Sequence, residues 1–345
     1  MEAEVNEERR EKREERREKR EERREKREER GREAAVTLPF YNYFTHDKKD
    51  ENTYMSSSWP GLRISAHERH IRAHSPQIVQ ALSSAVYGGG MLKLDRVFNI
   101  YVDMHYRCDD PPRDIEQALH EWQERPEQCA GLLTAVRLEH TSIQEYTSAH
   151  FGLLCCTTAG VSNAARAGSE RTVFDVHGKK HKTTALPLRV AEAASAIAPE
   201  YSALHVCDLS NTPSSDTSSI SSSNTSSISS YIPGTINIML WFNGQMTPSA
   251  MVNAIQTAVE AKAAALADAG IMDSENGQTA TGTTTDAIVL AIRQAEHESQ
   301  PLHAYAGTAT AMGAAIGRLV YDTVTESLQA GLHWKERRGQ GDNDI

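Results

Sequence analysis

Cysteine is scarce in this chain of 345 residues, and the five thiols follow no pairing pattern. Cys108, Cys129, Cys155, Cys156 and Cys207 are an odd set without C-x-x-C spacing. Neither a disulfide framework nor a zinc ribbon is therefore indicated, and a reducing, cytoplasmic setting is expected. Long apolar runs are missing too. None reaches the roughly 18 residues a spanning helix needs, and no apolar segment follows the N-terminal charges as in a secretory leader. No membrane partner is expected. Basic excess is absent: the formal charge is -10, and residues 1–33 hold 14 acidic and 14 basic side chains, so the acidic excess falls entirely on the remainder. An acidic body argues against a nucleic-acid partner, which would require clustered Lys and Arg. The chain also lacks G-x-x-x-x-G-K-[ST], a strand-anchored G-x-G-x-x-G and a G-x-S-x-G elbow. Nucleotide-hydrolase, dinucleotide-binding and lipase-like chemistries lose their usual signatures.

What is present is 39% hydrophobic content in a chain long enough for one large domain or two modest ones, with two low-complexity segments. Glu7 to Arg27 is three identical copies of EERREKR. Every position is charged, leaving no apolar seam for a coiled coil, so residues 1–33 are expected to form a solvated helical or disordered arm. Ser210 to Tyr231 is serine-rich with almost nothing to bury, and is expected to be a flexible excursion. It interrupts a single domain spanning 34–334, and 335–345 is expected to be a polar tail.

Strand-like apolar runs lie on both sides of the serine tract: Arg96–Met104, Ala130–Glu139, His150–Gly160, Ala203–Leu209 and Thr235–Phe242. Several are continuous enough to be covered on both faces. Helical periodicity is read at Pro248–Ala269, with Thr247 as cap and Pro248 at the first helical position, at Thr285–Ala295 and at Ala309–Leu328. The expected fold is α+β or mixed α/β, a layered β-sheet covered by helices, with the strand order open.

Two segments combine small residues with hydrogen-bonding groups. Thr158–Gly168, TAGVSNAARAG, follows a strand and carries Ser162, Asn163 and Arg166 where a loop can approach a ligand. Ala280–Asp286, ATGTTTD, clusters hydroxyls before what reads as a helix start, where anions and carbonyls bind, or where Thr285 or Asp286 is simply the cap. His67, His70 and His74 have a spacing that would share a helix face, but H-E-x-x-H is absent and no metal site is assigned.

With these segments stand ALSSAVYGGG from Ala81, FNIYVD from Phe98, GLLTA from Gly131, GTINI from Gly234, VEAKAAAL from Val259 and YAGTATAMGAAIG from Tyr305. Taken in order, the eight pieces make Gly61–Leu332 resemble the adenosylcobinamide amidohydrolase family. One departure is Gly88, where an asparagine is expected before the paired glycines. The resemblance implies hydrolysis of the amide joining a corrin propionyl side chain to aminopropanol, giving adenosylcobyric acid. It implies a corrinoid small-molecule partner and no protein cofactor or protein-held metal, since the cobalt belongs to the substrate. A homo-oligomer stays open.

Amide hydrolysis needs a nucleophile, donors for the tetrahedral oxyanion and an acid for the leaving amine. Within the matched motifs, Asn163 and Asn237 are the candidate oxyanion donors. Asp286 and Glu260 are the candidate carboxylates for proton transfer, with Glu260 and Lys262 alternatively a structural charge pair. Thr281 or Thr283 is a possible covalent nucleophile, but neither has an evident activating base, and attack by activated water is preferred. Ser83, Ser84, Ser162 and Thr308 are assigned to the peripheral amides of the macrocycle, and Gly89, Gly90, Thr158, Gly160, Thr281, Gly282 and Gly307 to backbone and side-chain contact with substrate. The other readings carried forward are a noncatalytic corrinoid-binding module and a hydrolase of another amide metabolite.

Overall fold

A computed structural model describes residues 38–46, 48–174, 179–182, 234–294 and 301–341. The charged arm, the strand expected at Ala203–Leu209 and the serine tract lie outside the described residues. Fifteen strands are described: β1 (Thr53–Met55), β2 (Arg63–His67), β3 (His70–Ser83), β4 (Gly90–Tyr101), β5 (Cys129–Thr134), β6 (Ser142–Thr147), β7 (Gly152–Ala159), β8 (Ala164–Ala165), β9 (Thr172–Phe174), β10 (Lys180–Lys182), β11 (Ile236–Asn243), β12 (Gln245–Met246), β13 (Gly282–Thr283), β14 (Ala287–Ile292) and β15 (Leu302–His303). The described α-helices are α1 (Tyr41–Thr45), α2 (Pro111–Glu121), α3 (Pro248–Asp268) and α4 (Ala311–Gly341).

Nine strands make one mixed sheet. Its order runs β1-β2-β3-β14-β11-β7-β6, with β4 on β3 and β5 on β4. β11 and β14 are parallel, as are β4 and β5, while the β7–β11 and β3–β14 pairs are antiparallel. β3 is long because it changes partners: its first half pairs with β2, and after an irregularity between His74 and Val79 its second half pairs with β14. The sheet curls until the inner face of β11 meets β5, where Asn237 Nδ2 donates to the Leu133 carbonyl at 2.8 Å. The concave face is filled by Val79, Ala81, Leu132, Met239, Trp241 and Val289 among others.

The convex face is covered by helices, giving the α+β layering expected. α3 and α4 pack on the outward side chains of β7, β11 and β14, including Leu153, Ile238, Leu240 and Leu290. α2 covers β4 and β5 through Ile115 and Leu119 against Phe98, Ile100 and Cys129. The start of α3 is as read from sequence, with Pro248 in its first turn and the Thr247 hydroxyl accepting from Ala250 N at 3.1 Å.

Two expectations are corrected. Thr285–Ala295 is not helical: Ala287–Ile292 is strand β14, buried at every position between two neighbours. A short apolar run cannot be assigned by periodicity alone, and the β-branched Ile288, Val289 and Ile292 suit a doubly covered strand. The three histidines do not lie on a helix either. His67 and His70 face each other across the β2–β3 hairpin with rings stacked at 4.4 Å, and His70 stacks on Trp122 at 3.8 Å.

Candidate active site

The start of β14 and the start of β11 are parallel neighbours, so their preceding loops emerge together, beside the ends of β7 and β3. That end of the sheet holds most of the polar motif residues. At its centre is Asp286. One carboxylate oxygen, Oδ1, accepts from Ile236 N at 3.0 Å and from the Thr283 hydroxyl. The other, Oδ2, accepts from Thr283 N at 3.0 Å and from Lys262 Nζ, which reaches down from α3. All four acceptor positions of the carboxylate are filled. The Lys262–Asp286 ion pair is buried, with side-chain exposures of 8% and 12%.

Gly282 makes room for this pair. A Cβ there would stand 2.5 Å from Asp286 Oδ2 and 2.7 Å from Lys262 Nζ, closer than either atom permits. The neighbouring Gly234 is constrained similarly, since a Cβ would meet Asn163 Oδ1 at 2.5 Å and Ser162 N at 2.8 Å. Asn163 in turn donates to the Thr284 hydroxyl at 2.6 Å, and Thr281 accepts from Ala167 N at 2.9 Å. The TAGVSNAARAG and ATGTTTD segments therefore hold each other, joined also by the β8–β13 pairing.

Beside Asp286 opens a cavity of about 430 Å³. Its buried wall comes from Leu132, Thr134 and Asn237 on the concave face of the sheet. Its rim comes from Ser84 and Val86 after β3, Thr285 before β14, Tyr106 and Cys108 between β4 and α2, and Pro111 at the start of α2. Asn237 is 2% exposed and part of a side-chain chain crossing the interior: its Nδ2 donates to Asn99 Oδ1 at 2.8 Å as well as to Leu133 O, and Asn99 Nδ2 donates to Thr158 Oγ1 at 2.8 Å.

Neither ionisable group on the rim is activated. Partial burial raises the Cys108 thiol above its ordinary value, with Asp114 and Asp109 adding repulsion. Burial also raises Tyr106, whose hydroxyl donates to Asp114 at 2.6 Å. Both stay protonated near neutrality, which leaves Cys108 a weak nucleophile.

Of the residues singled out from sequence, Asn237, Asp286 and Ser84 line the cavity. Asn163, Thr283, Thr281, Gly282, Thr158, Gly160 and Ser162 do not line it, although Thr283 and Gly282 lie against Asp286 and Thr158 is the partner of Asn237 on β7. Ser83 is buried, its hydroxyl accepting from Ala85 N at 3.0 Å, and Gly89 and Gly90 shape the β3–β4 turn. Glu260 is exposed on α3 and does not line the cavity, nor do Gly307 and Thr308 beyond β15. Lys262 pairs with Asp286 rather than with Glu260, because residues two apart on a helix point to different faces. Asp286 caps no helix; it ties together the loop that enters β14. Gly88 has φ +71, and a Cβ would fall 2.5 Å from Cys129 O, so this chain has no space for the expected asparagine there.

Sequence reasoning missed Asn99, Thr134, Thr235, Tyr106 and Cys108, and gave Lys262 only as a partner of Glu260. Lys262 had a signal: it falls in step with Ala258, Ala265 and Leu266 on the apolar face of α3, an unusual place for a lysine without a partner.

The family model described as CbiZ, adenosylcobinamide amidohydrolase, matches residues 57–336. Comparison with curated proteins gives no match. Among the described residues, no helix is long and apolar enough to cross a membrane.

Proposed function

This chain belongs to the adenosylcobinamide amidohydrolase family, and we propose that it hydrolyses adenosylcobinamide to adenosylcobyric acid and aminopropanol in corrinoid salvage. The observation that carries this reading is a cavity bounded by Asn237, Asp286 and Ser84, drawn from three separate family motifs. In the reaction, water adds to the amide carbonyl carbon, the C–N bond breaks, and the amine departs with a proton taken from the attacking water.

Water is the proposed nucleophile. The Thr283 hydroxyl donates to Asp286, but that carboxylate is also held by Lys262 and two backbone amides and cannot take a proton, from Thr283 or from water, without releasing one of its four donors. Asp286 is therefore proposed as a positioning group. It fixes Lys262, the Thr283 turn and the first amide of β11 around the reacting carbonyl. Glu260, exposed on the outer helix, is not carried forward as a base. Cytoplasmic action suits the four described cysteines, all free thiols.

The test is incubation of purified protein with adenosylcobinamide, with mass spectrometry for aminopropanol and adenosylcobyric acid. Appearance of both supports the hydrolase. A corrinoid spectrum retained on the protein without cleavage would replace it with a binding module, and neither binding nor cleavage would point to another amide.

A further inference from the structure

The cavity is at the small end of the range for ligand sites, and a corrin macrocycle with its peripheral amides exceeds it severalfold. Only one arm of such a substrate enters. The ring must lie outside, against the exposed rim at Val86, 49% accessible, and the loop carrying Met104, 59% accessible. The arm then runs inward, with the scissile amide near the rim and its far end at Leu132, Thr134 and Asn237.

The polar groups at that inner end have a definite polarity. Both hydrogens of Asn237 Nδ2 are committed, to Asn99 Oδ1 and Leu133 O. The nearest donor to Asn237 Oδ1 among the described residues is the Thr235 hydroxyl at 3.4 Å, and its single hydrogen is claimed by Thr285 O at 2.8 Å. Asn237, 2% exposed, therefore presents an under-satisfied acceptor rather than a donor. This is opposite to the oxyanion role assigned to it from sequence.

We infer that Asn237 Oδ1 receives the hydroxyl of the amino-alcohol leaving group, and that Asn99 is the positioning residue that, with the Leu133 carbonyl, holds Asn237 in its acceptor orientation. The inference rests on the hydrolase reading above and adds which end of the substrate enters and what recognises it. An arm carrying a hydroxyl on its second carbon satisfies the buried acceptor; one with only hydrogen there leaves it unpaired, which sites of this kind discriminate against strongly.

The experiment compares two adenosylcobyric acid amides, of 1-amino-2-propanol and of propylamine, on wild type and Asn99→Leu. Wild type should cleave the hydroxylated amide with kcat/KM about tenfold to a hundredfold higher. Asn99→Leu, checked for folding by circular dichroism, should bring the two within about threefold. Equal wild-type rates would overturn the inference without a variant. So would an Asn99→Leu protein that loses activity on both amides in proportion, the behaviour of a merely structural residue. If wild type cleaves neither amide, the hydrolase reading fails, and the same ratio is read from corrinoid affinity by visible titration: a hydroxyl preference lost in Asn99→Leu still supports the acceptor, and equal affinities refute it.

Discussion

Removing either partner of the buried Lys262–Asp286 pair should have unequal consequences. Asp286→Ala strands the Lys262 ammonium at 8% side-chain exposure and releases the amides of Ile236 and Thr283. Deleting one member of a buried pair costs about 3–5 kcal/mol, and each orphaned amide adds about 1 kcal/mol. A loss of about 5 kcal/mol or more is expected. Lys262→Met removes the charge but fills similar space, and Asp286 keeps three donors. Its loss should be about 2 kcal/mol, as for one charge-assisted hydrogen bond. The double variant should be more stable than Asp286→Ala alone, because the stranded charge is gone. Urea unfolding followed by tryptophan fluorescence reads all three. Equal losses for the two single variants, or a double variant no better than Asp286→Ala, would refute the assignment of Lys262 to this carboxylate.

Gly282→Ala should cost about 1–3 kcal/mol by crowding the same pair, and less when combined with Lys262→Met; urea midpoints decide, and full additivity would argue against the crowding. His70 is held neutral in the fold, its pKa pushed down to about 3 by burial and then by His67 and the arginines at 72 and 69. The unfolded chain therefore binds an extra proton between about pH 6.5 and 3, so stability should fall with pH across that window by up to about 1.4 kcal/mol per unit. His70→Phe, which can keep the stack on Trp122, should flatten that decline relative to wild type in unfolding measured from pH 7 to 4.5; parallel curves would contradict it. Glu326 goes the other way. Burial raises its carboxyl, against hydrogen bonds from Ser142 and Gln144. The protonated form is favoured in the fold, and that contribution is lost as pH rises through the raised value. Glu326→Gln should gain stability over wild type at pH 8 and lose the advantage toward pH 4; a constant difference would refute it.

The strands around the site were legible where burial is simple. β7 and β11 are continuous apolar runs, covered on both faces by the concave core and the helices. β14 was misread because six apolar residues fit one turn and a half of helix as well as a strand, and only its two neighbours decide. The first half of β3 alternates histidine and arginine with Ile71 and Ala73, so its inward face carries too few residues to stand out. At the site, residue types were readable and their roles were not. The donors to Asp286 come from Ile236, Lys262 and Thr283, positions up to 50 residues away, and no local spacing reports that they converge. Asn237 was found by its motif, but whether an amide donates or accepts depends on Asn99 and the Leu133 carbonyl across the curled sheet.

The most direct single measurement is mass spectrometry of wild-type protein incubated with adenosylcobinamide. Equimolar aminopropanol and adenosylcobyric acid, formed at a rate proportional to enzyme, is the expected result. Unchanged adenosylcobinamide under conditions where the folded protein takes up its visible spectrum would contradict hydrolysis at this site.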